Sequence, residues 1–149
     1  MSADTQTVTA YLNVKGADAA LGFYATVFGA QETYRLTDPA DGRIGHAEMR
    51  IGGTRLYISD EYPDFGAMSP DSLGGSAVAL QVRVADCDAV TGRAEAAGAL
   101  ILRRPADQSF GERVAQLQDP WGHRWMVAQT VEEVSPAEMQ RRWDASVSA

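Results

Sequence analysis

Across residues 8–14, apolar and polar side chains alternate: Val8, Ala10, Leu12 and Val14 fall on one side, Thr9, Tyr11 and Asn13 on the other. A period of two is that of a half-buried strand. Lys15-Gly16 ends the alternation. From Asp18 the period lengthens, and Ala20, Leu21, Tyr24, Val27 and Phe28 form the apolar stripe of a helix. Gly29 follows at the position where a left-handed residue closes a helix. Residues 31–36 predict a short strand before the turn Asp38-Pro39-Ala40-Asp41-Gly42. Residues 44–51 predict another strand, Gly52-Gly53 a tight hairpin, and residues 54–59 its antiparallel return. The first module is therefore β-α-β-β-β, spanning residues 7–60.

Residues 61–76 carry Pro63, Gly66, Pro70, Gly74 and Gly75. They read as a linker, longer than the usual connection of about 4–6 residues and long enough to act as a lid. The module order then recurs. Residues 78–84 predict a strand, Asp86 caps a helix ending at Ala97 before Gly98, and residues 100–103, 113–118 and 124–129 predict three more strands. A constant shift of 69 positions carries Gly29 onto Gly98, and likewise Arg35 onto Arg104, Asp38 onto Asp107, Gly42 onto Gly111, Gly53 onto Gly122 and Arg55 onto Arg124. Such a repeat makes each copy one supersecondary unit. Ser135-Pro136-Ala137-Glu138 places an N-cap serine, a first-turn proline and an N3 glutamate ahead of a last helix reaching Trp143. The expected architecture is α+β: a single domain of two pseudo-symmetric modules, residues 7–60 and 77–130, with a short C-terminal helix at residues 135–144.

Composition narrows the function classes. The 149 residues are 45% hydrophobic and 22% charged, as in ordinary soluble globular proteins. A net charge of −7 argues against nucleic acid, whose phosphates call for a basic face. No apolar run approaches the ~20 residues of a membrane span, and no signal peptide is evident, so a cytoplasmic protein without membrane contact is expected. The single cysteine, Cys87, cannot form an internal disulfide. Asp86 and Asp88 on either side should raise its thiol pKa and disfavour a nucleophilic role.

The repeated modules, with Tyr11-Leu12, Phe23-Tyr24, Phe28-Gly29-Ala30, His46-Ala47-Glu48, Ser59-Asp60-Glu61, Gly74-Gly75, Asp119-Pro120-Trp121-Gly122-His123, Trp125 and Val134-Ser135-Pro136, resemble the vicinal oxygen chelate superfamily. That group includes glyoxalase I, bleomycin-resistance proteins and extradiol dioxygenases, and residues 7–142 look like its PhnB-like branch. The resemblance implies two four-stranded sheets curling into a shared cavity, with the helices outside. It also implies metal ligands on the first and last strands of each module. Carried across, those positions fall near Thr9, Tyr57, Ala79 and Met126. None is His or Glu, so the usual divalent-metal site is expected to be lost and no cofactor is implied.

Candidate chemistry sits elsewhere. On the strand at residues 44–51, Ala47, Met49 and Ile51 should face the helix, leaving His46, Glu48 and Arg50 on the other face. His46 is the candidate general acid or base and Glu48 the group that orients it; the alternative is a polar pair in a solvated groove. Either face of residues 113–118 could be inward: Gln116 and Gln118, or Ala115 and Leu117. The repeat places Ala115 opposite His46. Arg113 could hold a ligand carboxylate or phosphate, or form an ion pair with Glu112 or Asp107. Tyr57 and Met126 suggest an apolar or aromatic ligand, or simple core filling. Phe65, Met68, Phe110 and Trp121 lie in loops, where they could close over a ligand or bury a dimer contact. His123, in a tight turn, reads as structural. The last helix, with Arg141, Arg142 and Trp143, is amphipathic and suits packing of a homodimer. Three functions are compatible with this pattern: an enzyme acting through His46, a protein that binds or sequesters a small molecule, and a metalloenzyme with displaced ligands.

Overall fold

A computed structural model of the protein describes residues 5–148. The chain divides into two compact units, the first ending at Gly75 and the second starting at Ser76. The first unit runs β1 (Tyr11–Val14), α1 (Ala17–Phe28), β2 (Gln31–Thr37), β3 (Ile44–Ile51) and β4 (Thr54–Asp60). Its sheet has the order β1-β4-β3-β2, with β1 parallel to β4 and the other pairs antiparallel. A 3-10 turn at Pro63–Phe65 and the short α2 (Pro70–Leu73) follow. The second unit repeats the pattern as β5 (Ala79–Arg83), α3 (Cys87–Ala96), β6 (Leu100–Asp107), β7 (Glu112–Gln118) and β8 (Arg124–Thr130), in the order β5-β8-β7-β6. Then comes α4 (Pro136–Val147). The α+β class, the paired β-α-β-β-β modules and the C-terminal helix are thus as expected.

One face of each sheet is buried under its helix. Helix α1 buries Ala17, Ala20, Leu21, Phe23, Tyr24 and Val27, and the sheet beneath it buries Leu12, Val14, Ala47, Met49, Leu56 and Ile58. Each large apolar side chain so buried contributes about 1.5–3 kcal/mol. In the second unit α3 buries Cys87, Val90, Thr91 and Ala94, and Ala115, Leu117, Trp125 and Val127 are buried in the sheet. The Cys87 thiol donates to the Val127 carbonyl at 3.3 Å, and burial, ahead of the Asp88 charge, raises its pKa. No described helix is long and apolar enough to cross a membrane.

Several boundaries differ from the sequence reading. Strand β1 begins at Tyr11 rather than Val8, which is 97% exposed. Alternation reports which face a residue takes, whereas strand length depends on a neighbour, and the ladder with β4 begins at Tyr11↔Tyr57. Strand β6 continues past Arg103 through Pro105. It is the last strand in its sheet and its register slips between Arg103 and Ala106, where proline's missing N–H costs little. Helix α4 runs on from Trp143 to Val147. Residues 61–76 are folded rather than a bare connector: Tyr62 and Ala67 exchange backbone hydrogen bonds, and Ser69 caps α2.

The buried face of β7 is now defined. Ala115 and Leu117 lie under α3 opposite Val127 and Trp125, and Gln116 and Gln118 take the other face. Ala115 is therefore not the counterpart of His46. Ala47 pairs with Ile58 as Ala115 pairs with Val127, so β3 maps onto β7 with one residue fewer than the 69-position shift, and His46 corresponds to Val114.

Candidate functional site

On the face of the first sheet away from α1, the ladder sets Tyr11, Tyr57, Glu48 and Tyr34 in one row across β1, β4, β3 and β2. His46 stands two residues from Glu48 along β3, paired with Leu36. Its ring lies among the phenols. The Tyr11 hydroxyl is 2.7 Å from Nδ1 and the Tyr34 hydroxyl 3.1 Å from Nε2, while the Tyr57 ring centroid is 4.8 Å away. A neutral imidazole has one donor and one acceptor, so one phenol donates to His46 and the other accepts from it. Asn13 adds an amide that donates to the Ser59 hydroxyl at 2.9 Å, and Ser59 donates to the Asp60 carbonyl. Burial raises the Tyr11 pKa, with the Ser59 hydroxyl pulling the other way. Tyr11 therefore stays a protonated donor throughout the neutral range.

These groups open into a cavity of about 590 Å³ whose lining includes Tyr11, Asn13, His46 and Ser59 with the apolar Leu36, Phe65 and Ala67. The loop after β4 closes one side and is anchored at its base. The Tyr62 hydroxyl donates to Asp38 at 3.0 Å, and the Arg43 guanidinium lies 3.9 Å over the Tyr62 ring. Glu61 accepts from the Ser69 amide and the Ser72 hydroxyl, and the Ser69 side chain, the Ser72 hydroxyl and the Ser69 amide together lower its pKa to about 2. Asp60, at the end of β4, ties β3 to the start of α1: Oδ1 accepts the amides of Gly16 and Ala17, and Oδ2 accepts that of Ile44.

Glu48 shares the predicted face with His46 but does not orient it. The carboxylate is buried and paired with Arg55 at 3.7 Å, while both ring nitrogens of His46 are taken by tyrosines. Arg55, on the facing strand of the hairpin, is simply the nearer counter-charge. His46 therefore lines the cavity beside Tyr11, with its two ring nitrogens taken by the Tyr11 and Tyr34 hydroxyls.

In the second unit the equivalent row reads Gln81, Met126, Gln116 and Arg103. Three residues singled out in the sequence, Gln116, Met126 and Phe110, line one pocket there, of about 270 Å³. Arg113 is not with them. It faces α3, bonded to Asp88 and Asp107, each at 3.1 Å, because odd positions of β7 point toward the helix. Trp121 sits in the turn before β8, where Asp119 accepts the amides of Trp121 and His123 and the Trp125 indole N–H. His123 is thus part of a built turn, as its surroundings in the sequence suggest.

Register also moves the positions where the superfamily's metal ligands were sought. Tyr11, not Thr9, is beside Tyr57, and Gln81, not Ala79, is beside Met126. Phenols, an amide and a thioether do not fit a divalent ion that prefers carboxylates and imidazoles. Among the described residues no three His, Cys, Asp or Glu side chains cluster to hold a metal.

The sequence reading missed the roles of Tyr11, Tyr34, Arg55 and Tyr62. Tyr11 was legible as a residue of the right face, but its pairing with His46 needed the strand order.

Comparison with known proteins agrees with this geometry. Residues 6–127 match the Glyoxalase/Bleomycin resistance protein/Dioxygenase superfamily. An uncharacterized protein of Mycobacterium bovis is 38% identical over 133 residues, covering 87% of each chain. The crystal structure of TioX from Micromonospora sp. ML1 superposes with a TM-score of 0.63 at 25% identity, over 87% of this chain and 100% of that one. A putative 3-demethylubiquinone-9 3-methyltransferase, PhnB protein, from Bacillus cereus shares the fold with a TM-score of 0.67 at 20% identity, over 84% of this chain and 100% of that one. By the extent of that match, and by its paired β-α-β-β-β units, the chain belongs to the glyoxalase/bleomycin resistance protein/dioxygenase superfamily.

Proposed function

We propose that the first unit binds a small organic molecule in its 590 Å³ cavity, and that a hydrogen bond from Tyr11, backed by His46, takes the place of a metal ion. The observation that carries this reading is the imidazole of His46 bonded through both nitrogens to phenols, one of which lines the cavity. That arrangement presents a fixed hydroxyl donor beside apolar walls at Leu36 and Phe65, the mix of one polar anchor and apolar surface typical of ligand sites. The matching ligand is a largely apolar molecule with a carbonyl or ether oxygen for Tyr11. Asp38 in the lining disfavours anions. The donor set at Tyr11 and Tyr57 favours binding without the superfamily's metal.

A second reading makes the same residues catalytic. The chain Tyr34–His46–Tyr11 can relay one proton to a bound ligand, with His46 exchanging protons between its two neighbours. The protein works in this proposal in the reducing cytoplasm, where a buried lone Cys87 is stable, and as a homodimer through the exposed Met139 and Trp143 of α4.

A thermal-shift screen of neutral aromatic ketones and lactones tests the binding reading, followed by Tyr11→Phe and His46→Gln on any hit. Stabilisation that both substitutions leave unchanged would sink it. Turnover of a hit by the native protein but not by His46→Gln selects the catalytic reading.

A further inference from the structure

We propose that β2 is the pairing edge for a second copy of this chain, joined antiparallel about a two-fold axis so that each Glu32 faces the partner's Arg35. Strand β2 ends its sheet, bonded to β3 alone, and all seven of its residues are exposed. Among the described residues no backbone hydrogen bond is made on its outer side. Those outer groups accept another strand through the same ladder bonds that build the sheet. The residues along the strand are self-complementary. The register with β3 slips at Thr33, between the pairs Glu32↔Met49 and Tyr34↔Glu48, so Glu32 and Arg35 share the face toward α1 although they are three residues apart. Gln31 and Leu36, paired with Arg50 and His46, share the opposite face. An antiparallel register that sets Glu32 against the partner's Arg35 also sets Gln31 against the partner's Leu36. Both pairs then match face to face, as a ladder requires. A two-fold interface makes each contact twice, so two unlike pairs come from one register. Registers that set Glu32 against the partner's Glu32, or Arg35 against the partner's Arg35, oppose like charges.

Both charged groups keep bonding capacity for the partner. Arg35 gives its Nε–H and one Nη2 hydrogen to Glu32, at 2.8 and 2.7 Å, and one Nη1 hydrogen to Asp18 at 2.8 Å. A guanidinium holds one further N–H on each terminal nitrogen. Each Glu32 oxygen accepts one of these bonds and has a second lone pair. The side chains are 34% and 33% exposed, so a partner can reach them. Pairing therefore extends the internal ion pair into an alternating ring with the partner's pair and does not break it. The end strand of the second unit lacks this complementarity. The 69-position repeat carries Arg35 onto Arg104 but Glu32 onto Ile101, and Arg104 is bonded back to Glu95 of α3. In the equivalent register Arg104 would face an isoleucine, so the contact is particular to β2. It shares no residue with the stripe of Met139 and Trp143 on α4.

The test is sedimentation velocity on full chains that all carry Trp143→Ser, so that α4 plays no part, with hydrogen exchange of residues 31–37 measured alongside. The Trp143→Ser protein should dimerise below ~100 μM. Adding Glu32→Arg or Arg35→Glu should weaken that association at least about tenfold, because like charges then face each other across the two-fold. An equimolar mixture of these two variants should form dimers again, since every facing pair is unlike, and exchange at residues 31–37 should slow as it does so. The double variant with Glu32→Arg and Arg35→Glu should also dimerise. Three outcomes overturn the proposal: a Trp143→Ser protein still monomeric at ~100 μM, a mixture of the two charge variants that stays monomeric while both have native circular dichroism, or dimers whose exchange at residues 31–37 equals that of the monomer. If a charge variant fails to fold, the concentration dependence and exchange of the Trp143→Ser protein decide alone. None of these outcomes touches the ligand reading, which is tested by Tyr11→Phe and His46→Gln.

Discussion

Tyr11 and His46 lie 35 residues apart, and the hydrogen bond between them, 2.7 Å long, passes over an intervening strand. Tyr11 is on β1 and His46 on β3, with β4 between them in the sheet. Tyr34, on β2, completes the line at 3.1 Å. One imidazole thereby links side chains from three strands of the sheet, at the edge of the cavity.

Removing either hydroxyl separates the two halves of that arrangement. Tyr11→Phe should cost about 1 kcal/mol of stability and weaken ligand binding about tenfold, because the lost hydroxyl lines the cavity. Tyr34→Phe should cost a similar amount of stability but affect binding less, since Tyr34 does not line it. Chemical denaturation and calorimetry on both variants check the pair; equal losses of affinity would contradict the assignment.

Acid should loosen the loop at residues 61–76. Glu61 has a folded pKa of about 2 against an ordinary 4.5, held down by the Ser69 and Ser72 side chains and the Ser69 amide. A depressed carboxylate stabilises fully above its unfolded value, and that contribution fades as pH falls from about 4.5 toward 2. Limited proteolysis of the loop should accelerate over that window. In Glu61→Gln it should already be faster at pH 7 and should change less with acid.

Gly42 and Gly111 occupy matching hairpins, with φ of 81° and 90°. They are not equivalent. A Cβ on Gly42 meets open space, whereas one on Gly111 collides with the Glu132 carbonyl and the Val134 side chain. Gly111 also accepts the amides of Val131 and Glu132, tying the chain after β8 to the hairpin. Gly42→Ala should cost about 1–2 kcal/mol for the left-handed backbone. Gly111→Ala should cost clearly more, and thermal unfolding of the two variants compares them directly.

Asp119 is 2% exposed and accepts from the Trp121 and His123 amides and the Trp125 indole. Asp119→Ala leaves these donors without that carboxylate in a buried turn, at a cost of about 3 kcal/mol or more. A melting temperature within a degree of the native protein would show that water replaces it.

The helices were readable because their signals are local. Gly29 and Gly98 close α1 and α3 within a few residues, and the alternation of Ala47 and Met49 with His46 and Glu48 identified the faces of β3. The partners of those side chains were not readable. Glu48 is drawn to Arg55 by a hairpin register, and Tyr11 reaches His46 only because β1 joins the sheet beside β4. Arg113 illustrates the same limit: its charge left open a ligand clamp or an ion pair with Glu112 or Asp107, and it is the strand register, placing it under α3, that pairs it with Asp107 and Asp88. The one-residue difference between β3 and β7 also misplaced the counterpart of His46, since a repeat measured on glycines in turns does not count residues within strands.

Pro105 in β6 has a consequence for how this protein fails. A strand at the end of a sheet that lacks one backbone donor is a poor template for another chain. Strand β2, which ends the other sheet, has no proline, and its exposed Tyr34 and Leu36 make it the more adhesive margin. There the protection comes from charge, with Glu32 and Arg35 set along the strand. Neutralising that pair should make β2 the point from which the protein begins to aggregate.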